Sequence, residues 1–231
     1  MIEKLNRKHK GSTTSHDIDL FKGVRKDTIR KEPETLDWID QINQKDSIFY
    51  DIGANVGIFT LVASKNKNIK GIYSFEPLFS NFYALSQNII INKADQVSAF
   101  NIALSNRNEI TNLNCHSIDF GAALNGIIDN KNYKGQEFKV NNVIPVQSYC
   151  LNFFVDTFKL PKPTHLKIDV DGKELNVVKG VSDLFKTCHE ILIEVCEDYH
   201  YSEITSYIEK YGFKKHKEFK HSKSNNIIYK R

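Results

Sequence analysis

The stretch FYDIGANVGIFTL, Phe49 to Leu61, joins an apolar run to an acid, two glycines and a helical pattern within a few residues. Ser47 to Ile52 reads as a strand and Val56 to Ser64 as a helix, with Gly53 and Gly57 at the turn between them. Such a strand-to-helix turn is where an open α/β sheet receives a nucleotide-like ligand, and its glycines let backbone N–H groups approach. The dinucleotide fingerprint G-x-G-x-x-G would need glycine at 55 and 58, where this chain has Asn55 and Ile58. Charge also argues against pyrophosphate, because Asp51 would face its anionic oxygens.

S-adenosylmethionine reverses that sign, since it carries a sulfonium, an ammonium and no phosphate. Asp51 would attract its methionyl end, and Glu76, ending the next strand, would accept the ribose hydroxyls. The alternative is that Asp51 caps the following helix and Glu76 is a strand-end charge. Outward from this motif the β-α-β order repeats: strand Ile69 to Phe75, helix Leu78 to Ile91, strand Val97 to Ile102. After an interruption come helix Leu151 to Phe158, strand His165 to Val170, helix Lys173 to Leu184, strand Glu190 to Cys196 and helix Ser202 to Tyr211. Phe213 to Phe219 and Asn226 to Lys230 close the chain as a hairpin. This order predicts an α/β fold with a mostly parallel sheet and helices on both faces.

The interruption, residues 105–146, is polar and rich in Asn and Gly, with short strands expected at Phe138 to Val140 and Val143 to Val146. It reads as an insertion placed to serve as a substrate lid, because specificity resides on loops over a fixed scaffold. Residues 1–31 read as a loosely held basic extension, and residues 32–231 as one domain entered through an amphipathic helix from Glu32 to Gln44.

FYDIGANVGIFTL, YSFEPLFSNFYALSQNI, ALSN (Ala103 to Asn106), HLKIDVDGKELNVVKG and ILIEV, in this order, resemble the FkbM family of S-adenosylmethionine-dependent methyltransferases. The likeness spans roughly Glu34 to Phe213. It implies the Rossmann-like class I methyltransferase fold, with seven strands ordered 3-2-1-4-5-7-6 and the last antiparallel. It also implies cofactor contacts from Asp51, Gly53, Ala54, Asn55, Gly57 and Glu76, with Asn101 to Ser105, including Ala103, bordering the adenine. The Asn-Pro-Pro-aromatic motif of base-amine methyltransferases does not occur, so the resemblance leans towards a hydroxyl acceptor on a small molecule or sugar.

The segment KIDVDGKE places Asp169, Asp171 and Glu174 at the end of the fourth strand, beside the first across the switch point. Methyl transfer to a hydroxyl needs in-line geometry and a base, for which Asp169 or Asp171 qualifies. Asp169 would also face the cofactor. Two carboxylates could instead hold Mg2+, a reading not favoured here. D-G-K-E is equally a capping box, with Asp171 as N-cap and Glu174 reaching back. His165 begins its strand and should be structural, His116 is expected to be solvent-exposed, and Glu194 to complete the rim.

The net charge of +4 and pI near 8.7 are mildly basic. Basic residues gather at Lys4, Arg7, Lys8 and Lys10, then at Lys22, Arg25, Lys26, Arg30 and Lys31, and again from Lys214 to Lys223. They are read as a solvated arm and a solvated surface loop; RNA methylation is the rival they support, and nucleic acid is not the expected partner. A non-catalytic binding or assembly protein retaining the fold is a second rival, and a nicotinamide dehydrogenase a third. The four cysteines are dispersed, without zinc-site pairs, and read as reduced thiols. No apolar run approaches the roughly 18 residues that span a bilayer, and the N-terminus lacks a signal-like apolar region. A cytoplasmic location is the expectation.

Overall fold

A computed structural model of the chain describes residues 2–7, 16–21, 31–123, 125–127, 137–195, 200–221 and 225–231. A hairpin of β1 (Ile2–Arg7) and β2 (His16–Phe21) precedes α1 (Pro33–Asp40), β3 (Ser47–Ile52), α2 (Ile58–Lys65), β4 (Ile69–Phe75), α3 (Phe79–Ile91) and β5 (Val97–Phe100). Then follow β6 (Ala103–Leu104), β7 (Glu109–Cys115), β8 (Asn125–Ile127), β9 (Asn142–Tyr149), α4 (Leu151–Phe158), β10 (His165–Ile168), α5 (Glu174–Val181) and a 3-10 turn, Ser182–Thr187. The chain ends with β11 (Glu190–Val195), α6 (Tyr201–Glu209), β12 (Lys214–Lys220) and β13 (Asn225–Lys230).

The main sheet has seven strands ordered β12-β13-β11-β10-β3-β4-β5. Counted along the chain within this sheet the order is 3-2-1-4-5-7-6, and β13 runs antiparallel to both neighbours. The central strands β3 and β10 are buried on both faces, the polar Asp51 and Lys167 included. One face packs α4, α5 and α6 around Tyr50, Phe154, Val178 and Phe185. The other packs α1, α2 and α3 around Trp38, Phe49, Phe59 and Leu61. Helix α1 begins with Pro33, whose fixed φ suits the first helical position, and ends at Asp40, earlier than the expected Gln44. Asn66 secures that end by donating to the carbonyls of Ile39 (2.9 Å) and Ile42 (3.0 Å).

Three expectations need correction. First, the N-terminal segment is not a loose arm over its described part: Ile18 and Leu20 of β2 are each 1% exposed within the α1–α3 core. Such burial contributes about 1.5–3 kcal/mol per side chain. Asn92, at the end of α3, imitates a sheet partner, accepting from the Asp19 N–H (3.0 Å) and donating to the Asp19 carbonyl (2.7 Å). Second, the insertion is not loose over its described part. Strands β6, β9, β7 and β8 form a separate four-stranded sheet around Leu113, Cys115 and Val146, and Phe138 to Val140 is not a strand. Third, the basic cluster from Lys214 to Lys223 is not one surface loop: Lys214, Lys215, Lys217 and Lys220 lie on β12, the edge strand of the main sheet, where the expected strand from Phe213 to Phe219 is found. Lysines on an edge oppose pairing with another chain's strand.

Lys8, Lys10, Lys22, Arg25, Lys26, Arg30, Lys223 and Cys196 lie outside the described residues. Among the described residues no helix is long and apolar enough to cross a membrane. Replacing Asn92 with alanine removes both bonds to β2, and unfolding in urea should show a loss of about 1–3 kcal/mol. An unchanged midpoint would mean that β2 contributes little to the folded domain.

Candidate active site

The carboxyl ends of β3, β4 and β10 open into a cleft with about 720 Å³ of space free of protein atoms, part of it open to solvent. Gly53, Asn55, Glu76, Asp169, Asp171 and Lys173 supply its polar wall, while the insertion contributes Leu113, Ala122 and Asn125 from above. Glycine is required at 53. Its φ is +79° and a Cβ there would stand 1.8 Å from the Asp169 carbonyl oxygen, so the two turns touch through backbone. Asn55 also takes a left-handed conformation, φ +51°, which asparagine tolerates well.

Glu76 is 5% exposed, and its two oxygens accept the N–H groups of Asn55 (2.8 Å) and Leu78 (2.9 Å). Burial raises its pKa to about 7 against those bonds, which act to lower it. Asn101 does not line the cleft; it braces the Glu76 turn from outside, donating to the carbonyls of Glu76 (2.8 Å) and Pro77 (3.0 Å). Ala103 does line it. Ala54 and Gly57 shape the turn from behind, Ala54 by donating to the Phe75 carbonyl at 3.0 Å.

Asp51 is the main departure from the sequence reading. It is fully buried beneath the glycine turn, on the α2 side of the sheet, and does not reach the cleft. Thr60 donates to its Oδ2 at 2.6 Å, and the Lys167 ammonium stands 3.7 Å from its Oδ1. Burial raises the Asp51 pKa, opposed by Lys167 and Thr60. Lys167 also donates to Asp169 Oδ2 at 3.0 Å and lies 5.0 Å over the Phe59 ring. Burial alone would lower the Lys167 pKa, but Asp169, Asp51 and Glu32 outweigh it and hold the ammonium charged.

The capping box does not form. Helix α5 starts at Glu174, preceded by Lys173, and Glu174 Oε1 accepts the N–H groups of Gly172 (2.9 Å) and Val170 (3.2 Å). Asp171, with φ +55°, instead turns along the cleft wall. Burial raises Glu174 to about 7. His165 sits at the opposite end of β10, near Trp38 and His189, and burial lowers it to about 4. His116 is exposed, with Nδ1 3.1 Å from the Lys139 carbonyl. Glu194, next to last in β11, stands opposite Asn226.

The sequence reading missed Asn81. This fully buried residue of α3 accepts from the Gly121 N–H at 2.7 Å and donates to the Ala122 carbonyl at 3.0 Å. Asn55 Nδ2 donates to that same carbonyl at 3.0 Å, so the glycine turn and the insertion are tied directly. Among the described residues, no three His, Cys, Asp or Glu side chains are grouped to hold a metal ion.

The methyltransferase FkbM domain profile matches residues 51–215. The chain belongs to the FkbM methyltransferase family. It is 23% identical over 167 residues to the hexuronic acid methyltransferase AglP of Haloferax volcanii, covering 72% of this chain and 63% of that relative. The chain thus spans less than two thirds of that relative's length. Among solved structures, methyltransferase FkbM from Methylobacillus flagellatus KT superposes with a TM-score of 0.57 at 14% identity, over 83% of this chain and 45% of that one. A ribosomal protein L11 methylase from Lactobacillus delbrueckii subsp. bulgaricus gives 0.58 at 11% identity, over 92% and 83%. These likenesses establish the class I methyltransferase fold.

Glu76 and Glu174 hold protons in the folded family member that the unfolded chain releases from about pH 4.5 upward. A raised folded-state value contributes stability that is complete below the ordinary value and lost as pH rises through the folded one. The melting temperature of wild type, relative to Glu76→Gln, should therefore fall by several degrees between pH 5 and pH 8. A difference independent of pH would contradict the buried protonation.

Proposed function

We propose that the protein is an S-adenosylmethionine-dependent O-methyltransferase acting on a hydroxyl of a sugar or other small molecule. The observation that carries this reading is the convergence of the Gly53 turn, Glu76 and Asp169 on one cleft. The cleft suits the cofactor. Glu76 retains acceptor capacity for ribose hydroxyls beyond its two backbone bonds, and the buried Asn125 Oδ1 has no hydrogen-bond partner among the described residues. When bound, S-adenosylmethionine supplies a methyl group activated by its sulfonium.

The protein's own part is placement and proton removal. Asp169 lines the cleft with a carboxylate fixed by Lys167, so it can accept the acceptor hydroxyl's proton as the new O–C bond forms. Lys167 already occupies Asp169 Oδ2, which favours the role of base over that of metal ligand. Asp171 borders the same wall and orients the acceptor by accepting from a neighbouring hydroxyl. Lys173, 8% exposed in the lining, offers an ammonium to a carboxylate. That feature and the similarity to a hexuronic acid methyltransferase support an acidic carbohydrate among the candidate acceptors. The insertion acts as the lid, held by Asn55 and Asn81 through Ala122.

Calorimetric titration with S-adenosylhomocysteine should show saturable binding that NAD lacks and Glu76→Ala loses. With labelled methyl donor and a pool of uronic acids and neutral sugars, Asp169→Asn should retain that binding yet lose about 10²-fold or more in turnover. Binding without turnover on any acceptor would favour a ligand-binding or assembly role, and failure of the wild type to bind would overturn the cofactor assignment.

A further inference from the structure

The two edges of the main sheet are finished differently. At one side β12, KKHKEFK, carries four lysines, a composition that keeps an edge strand from pairing with another chain. At the other side β5, VSAF, has neither charge nor proline, and among the described residues it has no neighbour beyond β4. The ladder fixes where its backbone points. Ile72 N–H donates to the Gln96 carbonyl at 3.0 Å and Glu76 N–H to the Phe100 carbonyl at 3.1 Å, so by alternation residues 96, 98 and 100 face β4. Ala99 therefore turns its N–H and C=O away from the sheet, beside the exposed Ser98.

Apolar side chains flank this edge on both faces of the sheet. On one face α3 exposes Phe79, Tyr83 and Ile90. Asn101, which follows β5, lines one groove with Phe79, Tyr83 and Phe120 of the insertion, so the exposed stripe lies on the β5 side of α3. The rings of Tyr83 and Phe120 stack at 6.2 Å. On the opposite face Phe100 of β5 packs against Phe154 of α4 at 5.2 Å, and Phe154 against the exposed Phe158 at 4.7 Å. Phe79, Tyr83, Ile90, Phe120 and Phe158 range from 43% to 68% exposed. Half-exposed side chains of about 200 Å² each offer roughly 500 Å² together. With the open strand between them, that approaches the ~800 Å² each partner buries in a stable complex.

We propose that β5 is the interface of a two-fold homodimer, in which two copies of the strand pair antiparallel and double the seven-stranded sheet. A second copy fits because the edge is self-complementary. On a two-fold axis perpendicular to the sheet, Ala99 and Ala99 of the partner subunit exchange both bonds, each N–H donating to the other's carbonyl. That axis sets α3 beside the partner's α3 and α4 beside the partner's α4, so each apolar stripe meets its own copy. Assembly stops at two, since the lysines of β12 guard both remaining edges. The transfer side of the cleft stays open, because β10, which leads into Asp169, lies three strands in from β5. Phe120 immediately precedes Gly121 and Ala122, which Asn81 and Asn55 hold, so the partner bears on the insertion beside the cleft. The dimer does not depend on the reaction assigned above.

Sedimentation equilibrium of the full chain from about 1 to 100 μM should give a mass near twice 26.6 kDa, falling towards one chain on dilution. Amide exchange over residues 96–101 should slow as the concentration rises. Ala99→Pro should weaken the dimer at least a hundredfold and keep the wild-type circular dichroism, since proline is tolerated on an edge where the missing N–H faces away from the sheet. Ser98→Lys, which copies the protection of β12, and Tyr83→Glu should weaken it likewise. A wild type that stays monomeric across the range overturns the proposal, whether the 96–101 amides exchange freely or are protected by another segment of this chain. A dimer undiminished by Ala99→Pro, Ser98→Lys and Tyr83→Glu places the interface elsewhere and overturns it as well, as does an assembly that grows beyond two chains. If Ala99→Pro does not fold, Ser98→Lys and Tyr83→Glu decide.

Discussion

Lys167 is the constraint around which the ligand end of the sheet is arranged. A fully buried ammonium costs several kcal/mol to desolvate, and it is tolerated only where carboxylates and good geometry offset that cost. The register of β10 against β3 sets Lys167 directly beside Asp51 and two residues before Asp169. Asp51 therefore holds the lysine from below, with Thr60 of α2 completing it, and the lysine in turn fixes Asp169 at the cleft. Removing the lysine would leave buried carboxylates unpaired, so the acid in the glycine motif has a structural reason to be there without touching a ligand.

The second constraint is steric. Because Gly53 presses its Cα against the Asp169 carbonyl, the turns that follow β3 and β10 form one backbone unit. Asn55 extends that unit in two directions, its N–H to Glu76 and its side chain to Ala122 of the insertion. Asn81 reinforces the second link from α3. A shift of the insertion is thereby felt at Glu76 through Asn55.

Much of this was legible in the sequence, for identifiable reasons. Ser47 to Ile52 and Ile69 to Phe75 are rich in Ile, Phe and Tyr and bounded by turn signals, and their limits agree with the structure to the residue. The direction of Asp51 was not legible, because in a strand buried on both faces period-two alternation does not say which face meets the ligand. A lysine within the apolar run HLKI was an available sign of a buried ion pair and went unused. In HDIDLF, Ile18 and Leu20 do alternate with acids, but flanking charge masked a six-residue strand whose partner α3 lies some seventy residues away. The closing hairpin was legible as well, the expected strand from Phe213 to Phe219 matching β12 within one residue, and its lysines suit an edge strand. The insertion's sheet depends on pairing between β7 and β9, separated by a long connection, which local pattern does not encode.

The proposed chemistry requires the cleft above the Gly53 turn to be the cofactor site, with Glu76 on the ribose side and Asp169 on the transfer side. Diffraction from crystals grown with S-adenosylhomocysteine addresses that arrangement most directly. Both ribose hydroxyls should lie within hydrogen-bonding distance of the Glu76 carboxylate, with the sulfur turned towards Asp169. Ligand density in another groove, or a ribose that leaves Glu76 bonded to backbone N–H groups alone, would contradict it.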